Sequence, residues 1–455
     1  MVDSIYSRRQ FLGRSAAAGA GLFAMQIAGA GTAVAVGNGV GAKSIHPLTK
    51  SHDPDVLLRW IQAVYDSVKL ERLTPPNAAR IYAYFGVAAY EAVVGGMPPY
   101  RSLGLQLNDL PKLPSRSQNL RYDWPTAANA AMAAVAPVLF AGRTASLAKM
   151  RDLESVVQSE RNAAVKDGST IDRSVGHGRS VGKIIAEWIQ RDGWTHIQGL
   201  PAYVAPMGEG LWERTPPNFG LALEPYWEKV RPFALVPVTA CAPPPPIAFS
   251  TDPGSAFYAQ AMATYTTVKE RTDSDAETAL FWRDNPDGTT GLPSGHWALI
   301  ASILIRQEGY DLARAAELMV MHGIAVADGF TSCWTEKYRT NLVRPVTYIK
   351  KHIDPDWNSP VNSPAFPEYT SGHSVGSGAA AAVLTSLVGA VSFTDDTGIG
   401  NGFAPRPYSS IWDAANEAAI SRLFGGIHYP MGITAGIDQG VCVAQAVMQR
   451  IKTRK

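Results

Sequence analysis

Residues 370–389 read TSGHSVGSGAAAAVLTSLVG. A hydroxyl, a glycine and a histidine open an Ala-rich run that stays largely apolar until Gly389. This is the pattern of a helix from His373 to Gly389 capped by Ser371. The Ser371 hydroxyl and the Gly372 N–H then stand at a helix N-terminus, where unpaired backbone donors and the helix dipole favour an anion. Glycine also lets such a ligand approach the backbone closely. Taken alone, the string is equally an ordinary N-cap with an incidental histidine.

Outward from this segment the chain keeps a helical pattern. Helices are expected over Ile411–Phe424 and Ile433–Ile451 downstream, and over Ser294–Gln307, Leu312–Met321 and Ile324–Lys337 upstream. Further helical patterns run over Pro125–Ala141, Arg143–Val165, Ser174–Arg191, Ser255–Glu270 and Asp273–Trp282. Near the start, Asp53-Pro54 and Pro75-Pro76 each open a helix, the second ending at Gly95-Gly96. Strand signals are few, so the expected class is all-α, packed helical bundles in two four-helix-bundle-like halves with long irregular connections. Between Thr195 and Ser250, turns, Trp/Tyr and Pro243-Pro244-Pro245-Pro246 predict an irregular wrap or a boundary. The expected division is 1–35 targeting segment, 50–250 N-terminal helical region and 251–455 C-terminal helical domain.

Residues 1–35 read as a targeting segment. Ser7-Arg8-Arg9-Gln10-Phe11-Leu12 precedes a weakly apolar Ala/Gly run resembling a twin-arginine signal, with small residues Ala28, Ala30, Ala33 and Ala35 as cleavage points. An uncleaved membrane anchor is the alternative, but Gly19, Gln26, Gly29 and Gly31 dilute the run. Periplasmic or extracellular localisation is therefore expected, with no stable membrane span after signal removal. The remaining chain carries 38 basic and 38 acidic residues, which argues against general nucleic-acid binding. Cys241, Cys333 and Cys442 are odd in number and scattered, a pattern that speaks against a disulfide framework and reads as core or spare thiols.

Two other fragments carry cations. Lys337 and Arg344 lie seven residues apart, two turns, which places both on one helix face if the helix runs to the Pro345 stop. Arg422 and His428 converge if a helix ends near Arg422 and Gly425-Gly426 turns the chain back before Pro430. Each fragment alone is unspecific, a surface pair in one case and a helix C-cap in the other.

Together and in this order, Lys337-Tyr338-Arg339-Thr340-Asn341-Leu342-Val343-Arg344-Pro345, Tyr369-Thr370-Ser371-Gly372-His373 and Ser421-Arg422-Leu423-Phe424-Gly425-Gly426-Ile427-His428 resemble the type 2 phosphatidic acid phosphatase and haloperoxidase superfamily. The resemblance covers about the last third of the chain. It implies a pocket for a tetrahedral oxyanion, vanadate as cofactor or phosphate as substrate. Ligands would come from Lys337, Arg344, Ser371, Gly372, Arg422 and His428, with His428 on the vanadium and His373 as acid/base. Pro293-Ser294-Gly295-His296 also fits the middle box, but it precedes Lys337 and so is expected to be structural, with His296 packed beside Trp297.

Other features bear on the chemistry. Trp334 and Phe366 fall where chloroperoxidase-type members carry an aromatic pair near the halide, and Pro225-Tyr226-Trp227-Glu228-Lys229-Val230-Arg231-Pro232-Phe233 is similar to the soluble bacterial haloperoxidase branch. Thr370 replaces the family's usual proline and is expected to loosen the approach to the helix. Gly432 stands where His-x3-Asp usually ends, removing the aspartate that orients the histidine and disfavouring a phosphohistidine intermediate. Asp284 is the candidate acidic partner of one arginine. The resemblance thus implies a vanadium haloperoxidase using hydrogen peroxide and halide. An exported acid phosphatase is the alternative, and a non-catalytic oxyanion-binding scaffold the third reading.

Overall fold

The computed structural model describes residues 47–455. The targeting segment at 1–35 lies outside them. Among the described residues the architecture is all-α, with α1 (Asp55–Leu70), α2 (Pro75–Val93), α3 (Trp124–Leu139), α4 (Thr144–Ala164), α5 (Gly168–Gln190) and the short α6 (Trp194–Gln198) before the wrap. After it come α7 (Ala256–Glu270), α8 (Asp273–Phe281), α9 (Leu292–Gln307), α10 (Leu312–Thr340), α11 (Pro345–His352), α12 (Gly372–Val388), α13 (Ile411–Phe424) and α14 (Pro430–Arg450). Two three-residue strands, β1 (Phe393–Asp395) and β2 (Arg406–Tyr408), pair antiparallel with Phe393 opposite Tyr408. No helix among the described residues is long and apolar enough to cross a membrane.

α2 and α10 are the central pair. Every residue of α2 is buried, and α10 is almost continuously buried from Leu312 to Lys337, as expected of helices enclosed on all sides. The two expected helices Leu312–Met321 and Ile324–Lys337 are one. Gly323 does not break α10, because it is a contact point where a Cβ would lie 3.0 Å from Ala83 Cα. The main apolar core takes residues from both sides of position 250, from Val56 to Ile451.

The wrap between α6 and α7 is irregular, and buried Asp328 of α10 helps hold it. Its carboxylate accepts from the backbone N–H groups of Phe233, Ala234 and Leu235 at 2.6–2.8 Å. The expectation of spare thiols fails here. Cys241 in the wrap is bonded to Cys442 in α14 across a separation of 201 residues, leaving Cys333 free and buried. Sequence distance concealed the pair, since only the docked wrap brings Cys241 to α14.

Three stitches assemble the C-terminal end. α12 lies against α14, so closely that a Cβ on Gly440 would sit 2.2 Å from the Val375 carbonyl. The Ser371 N–H donates to the Gly432 carbonyl at 3.0 Å and the Glu368 N–H to the Leu342 carbonyl at 3.0 Å. The three motif segments are thereby tied backbone to backbone.

Candidate active site

The first motif is not one continuous helix. α10 ends at Asn341, which takes a left-handed conformation (φ 47°), and Arg344 is extended (ψ 151°) as the residue before Pro345 and the N-cap of α11. Proline disfavours a helical conformation at the preceding residue. Lys337 and Arg344 nevertheless converge, because both donate to carbonyls of residues 366–370. The third motif folds as expected: α13 ends at Phe424, Gly426 turns at φ 69°, and His428 comes back just ahead of α14.

Lys337, Arg344, Ser371 and Arg422 are all 0% exposed and His428 is 2% exposed. Three buried cations thus meet one imidazole and the N-terminus of α12. Lys337 Nζ donates to the carbonyls of Pro367 (3.1 Å), Glu368 (2.9 Å) and Thr370. Burial pulls its pKa down to about 7, with Arg344 adding to the effect. All three ammonium hydrogens are therefore taken by carbonyls, and Lys337 brings charge to the site while gathering segment 367–370.

The arginines retain donors. Arg344 gives Nε to the Phe366 carbonyl and Nη1 to the Ile427 carbonyl, both at 2.8 Å, while its Nη2 has no protein partner. Arg422 gives Nη1 to the Trp282 carbonyl, and its Nε and Nη2 have none. Desolvation lowers both guanidinium pKa values to about 10. Buried donors without a partner are costly, and an oxyanion accepting from them removes that cost. The residues present fit a tetrahedral oxyanion on this ground.

His428 is held from behind. Its Nδ1 lies 2.8 Å from Glu368 Oε1, leaving Nε2 on the Arg344 side, 3.3 Å from Arg344 Nη1. Burial and then the neighbouring cations push its pKa well below the ordinary histidine value, so the ring is neutral. His373, partly exposed, has Nε2 3.0 Å from the Trp282 carbonyl and 2.9 Å from Arg422 Nη1. Burial and Arg422 lower its pKa as well.

The cavity above is lined by His373, His428, Gly372, Trp334, Phe366 and Phe330, among others. The Trp334 and Phe366 rings lie 4.8 Å apart, and Lys337 Nζ sits 5.0 Å from the Phe366 ring centre. Gly372 touches this wall, since a Cβ there would be 3.4 Å from the Trp334 ring.

Three expectations change. Asp284 pairs with His296 Nδ1 at 2.9 Å and reaches an arginine only through its charge, which works against the desolvation of Arg422. His296 packs face to face on Trp282 (4.2 Å, 20°), with Trp297 beyond it. Thr370 loosens nothing: it is fully buried, and its hydroxyl donates to Gln439 Oε1 at 2.6 Å. Sequence reasoning also missed Glu368 and the Trp282 carbonyl. Glu368 lies only three residues before Ser371, but its partner is 60 residues away.

The model of the VCPO second helical-bundle domain matches residues 351–454, the part that holds Ser371, Gly372, His373, Arg422 and His428. No curated protein matches the sequence. Among solved structures the chain is similar to one described as the first bacterial vanadium-dependent iodoperoxidase, at 36% identity and TM-score 0.83 over 89% of this chain and 97% of that one. Its fold is also that of a bacterial vanadium-dependent chloroperoxidase, in holo form at 16% identity and TM-score 0.58 (83% and 92% covered) and in apo form at 16% and 0.61 (83% and 95%). Near-complete coverage at 36% identity, over a scaffold bearing this oxyanion cage, means that the chain belongs to the vanadium-dependent haloperoxidase family.

Proposed function

We propose that the pocket holds vanadate and oxidises a halide, iodide foremost, with hydrogen peroxide. The observation that carries the reading is the set of buried, unpartnered donors on Arg344 and Arg422 beside His428, whose Nε2 faces the Arg344 guanidinium. Iodide is favoured because the relative similar over 89% of this chain is an iodoperoxidase. His428 would hold the vanadium, and Arg344, Arg422, the Ser371 hydroxyl and the Gly372 N–H would hold the oxo groups, with Lys337 supplying further positive charge. Vanadate supplies Lewis acidity that activates the peroxide toward two-electron oxidation of the halide.

The chain's own residues do the rest. Neutral His373 takes a proton from incoming peroxide and returns it to the departing oxygen. The net change converts halide, peroxide and one proton into hypohalous acid and water. Trp334, Phe366 and Phe330 give the halide an apolar wall and keep bulk water from the pocket.

A phosphatase with His428 as nucleophile is not favoured, since the relatives are haloperoxidases. It does have one supporting observation: Glu368 stands behind His428, so the missing aspartate at Gly432 no longer counts against it. The test is iodide oxidation with peroxide after adding orthovanadate, run beside phosphate-ester hydrolysis without it. Vanadate-dependent oxidation is the expected outcome, and ester hydrolysis inhibited by vanadate contradicts it.

Twin-arginine export to the periplasm or medium belongs to the same proposal. The Cys241–Cys442 disulfide supports it, because disulfides persist in oxidising compartments. Replacing Arg8 and Arg9 by lysine and fractionating the cells tests it, with retention in the cytoplasm expected.

A further inference from the structure

Glu368 is a buried carboxylate in the floor of the cage, 0% exposed. Its Oε1 accepts from His428 Nδ1 at 2.8 Å and from the Tyr429 N–H at 3.0 Å. A carboxylate acceptor at Nδ1 keeps the proton on that nitrogen, so Nε2 carries the lone pair. The carboxylate fills the space over Gly432, where a Cβ would lie 2.4 Å from Oε1, 2.9 Å from Oε2 and 3.0 Å from Cδ. Two hydrogen bonds pin the carboxylate, so it cannot yield that space without releasing His428. A carboxylate carried on residue 432 would occupy the same place.

We propose that Glu368 is the positioning residue that fixes the tautomer and aim of His428, and that Gly432 is the clearance this carboxylate requires. The two positions therefore act as one unit, in which a carboxylate from either side, but not from both, serves the histidine. The inference rests on His428 being the vanadium ligand. Charge alone predicts something different for Glu368. Burial pushes the Glu368 pKa up to about 7, so above that pH removing its negative charge from among Lys337, Arg344 and Arg422 tightens any anion held only by electrostatics. Positioning predicts the reverse for vanadate, which needs the Nε2 lone pair.

The test compares orthovanadate and inorganic phosphate binding, by equilibrium dialysis of the full protein, in wild type, Glu368→Ala, Glu368→Gln and the double variant Glu368→Ala/Gly432→Asp. In Glu368→Ala vanadate affinity is expected to fall about 10–100-fold, while phosphate affinity holds or rises. Glu368→Gln keeps the side-chain shape and one acceptor and is expected to lose less. The double variant is expected to recover most of the loss. Nitrogen-15 NMR of the His428 ring, free of vanadate, adds an independent readout: one Nδ1–H tautomer in wild type and a mixture in Glu368→Ala. An unchanged vanadate affinity, or vanadate and phosphate falling together, overturns the inference. Absence of recovery in the double variant overturns its clearance half. If the wild type binds no vanadate, the functional reading falls with it, whereas binding by wild type and Glu368→Ala alike sinks this inference alone.

Discussion

Ser294-Gly295-His296 forms the third to fifth residues of α9 and Ser371-Gly372-His373 the N-cap and first two residues of α12, and their histidines end in opposite electrostatic states. His296 is clamped at 2.9 Å from Asp284 on one ring nitrogen and 2.9 Å from Asp395 on the other. Burial alone would favour its neutral form, but the two carboxylates overcome this and push its pKa up to about 10. His373 has no carboxylate partner. Burial and Arg422 drive its pKa down, and its Nε2 is turned to the Trp282 carbonyl. Trp282 serves both, with its ring on His296 and its carbonyl between His373 and Arg422. One string of three residues thus yields a charged structural pin in one place and, in the other, a neutral imidazole at the pocket, the proposed acid/base. What differs is the set of groups that distant segments bring to the ring.

The strongest way to break this contrast is to remove each ring in turn. His373→Ala is expected to lower vanadate-dependent iodide oxidation about 10²–10⁴-fold and leave the melting temperature nearly unchanged. His296→Ala strands Asp284 and Asp395 in the interior and is expected to cost about 3–5 kcal/mol of stability, since breaking a buried ion pair leaves an uncompensated charge. Urea unfolding and steady-state rates on both variants check this, and a reversed pattern contradicts the assignment.

A pH series sharpens the contrast. The His296 ring titrates near 10 in the folded protein and near about 6.5 when unfolded. Between those values the folded state holds a proton that the unfolded state has released. The clamp's stabilisation is therefore complete below about pH 6.5 and is lost as pH rises toward 10. Thermal unfolding from pH 6.5 to 9.5 is expected to show a steeper decline in wild type than in His296→Gln. The smallest effect belongs to Trp282→Phe, which keeps the carbonyl but trims the stacked ring. It also loses the Trp282 Nε1–H bond to Glu417 Oε1, is expected to cost about 1–3 kcal/mol and to alter turnover only a few-fold, and a turnover loss matching His373→Ala would show that the ring, not the carbonyl, serves the site.

Much of this was legible before folding. The order and spacing of the three motifs, through their resemblance to the superfamily, were enough to expect Lys337, Arg344, Ser371, Gly372, Arg422 and His428 together, and the same resemblance, which puts the middle motif after Arg344, chose His373 over His296. Those motifs also carry their own helix caps and turns. The helix boundaries on either side of the Gly425-Gly426 turn were visible for the same local reason. Contacts made across long stretches of chain were hidden. Cys241 meets Cys442 only through the docked wrap, and Glu368 meets His428 only because α12 lies against α14. The spacing left open whether the helix runs on to Pro345 or ends, as it does, at Asn341, because two turns of helix and an irregular bend can both bring Lys337 and Arg344 to the same carbonyl segment.

The central claim is that this cage binds vanadate through His428, and stoichiometric titration of the purified protein with orthovanadate tests it most directly. One vanadate bound per chain in wild type, with iodide oxidation rising in proportion and both lost in His428→Ala, is the predicted result. Equal binding by wild type and His428→Ala, or iodide oxidation indifferent to vanadate, would contradict it.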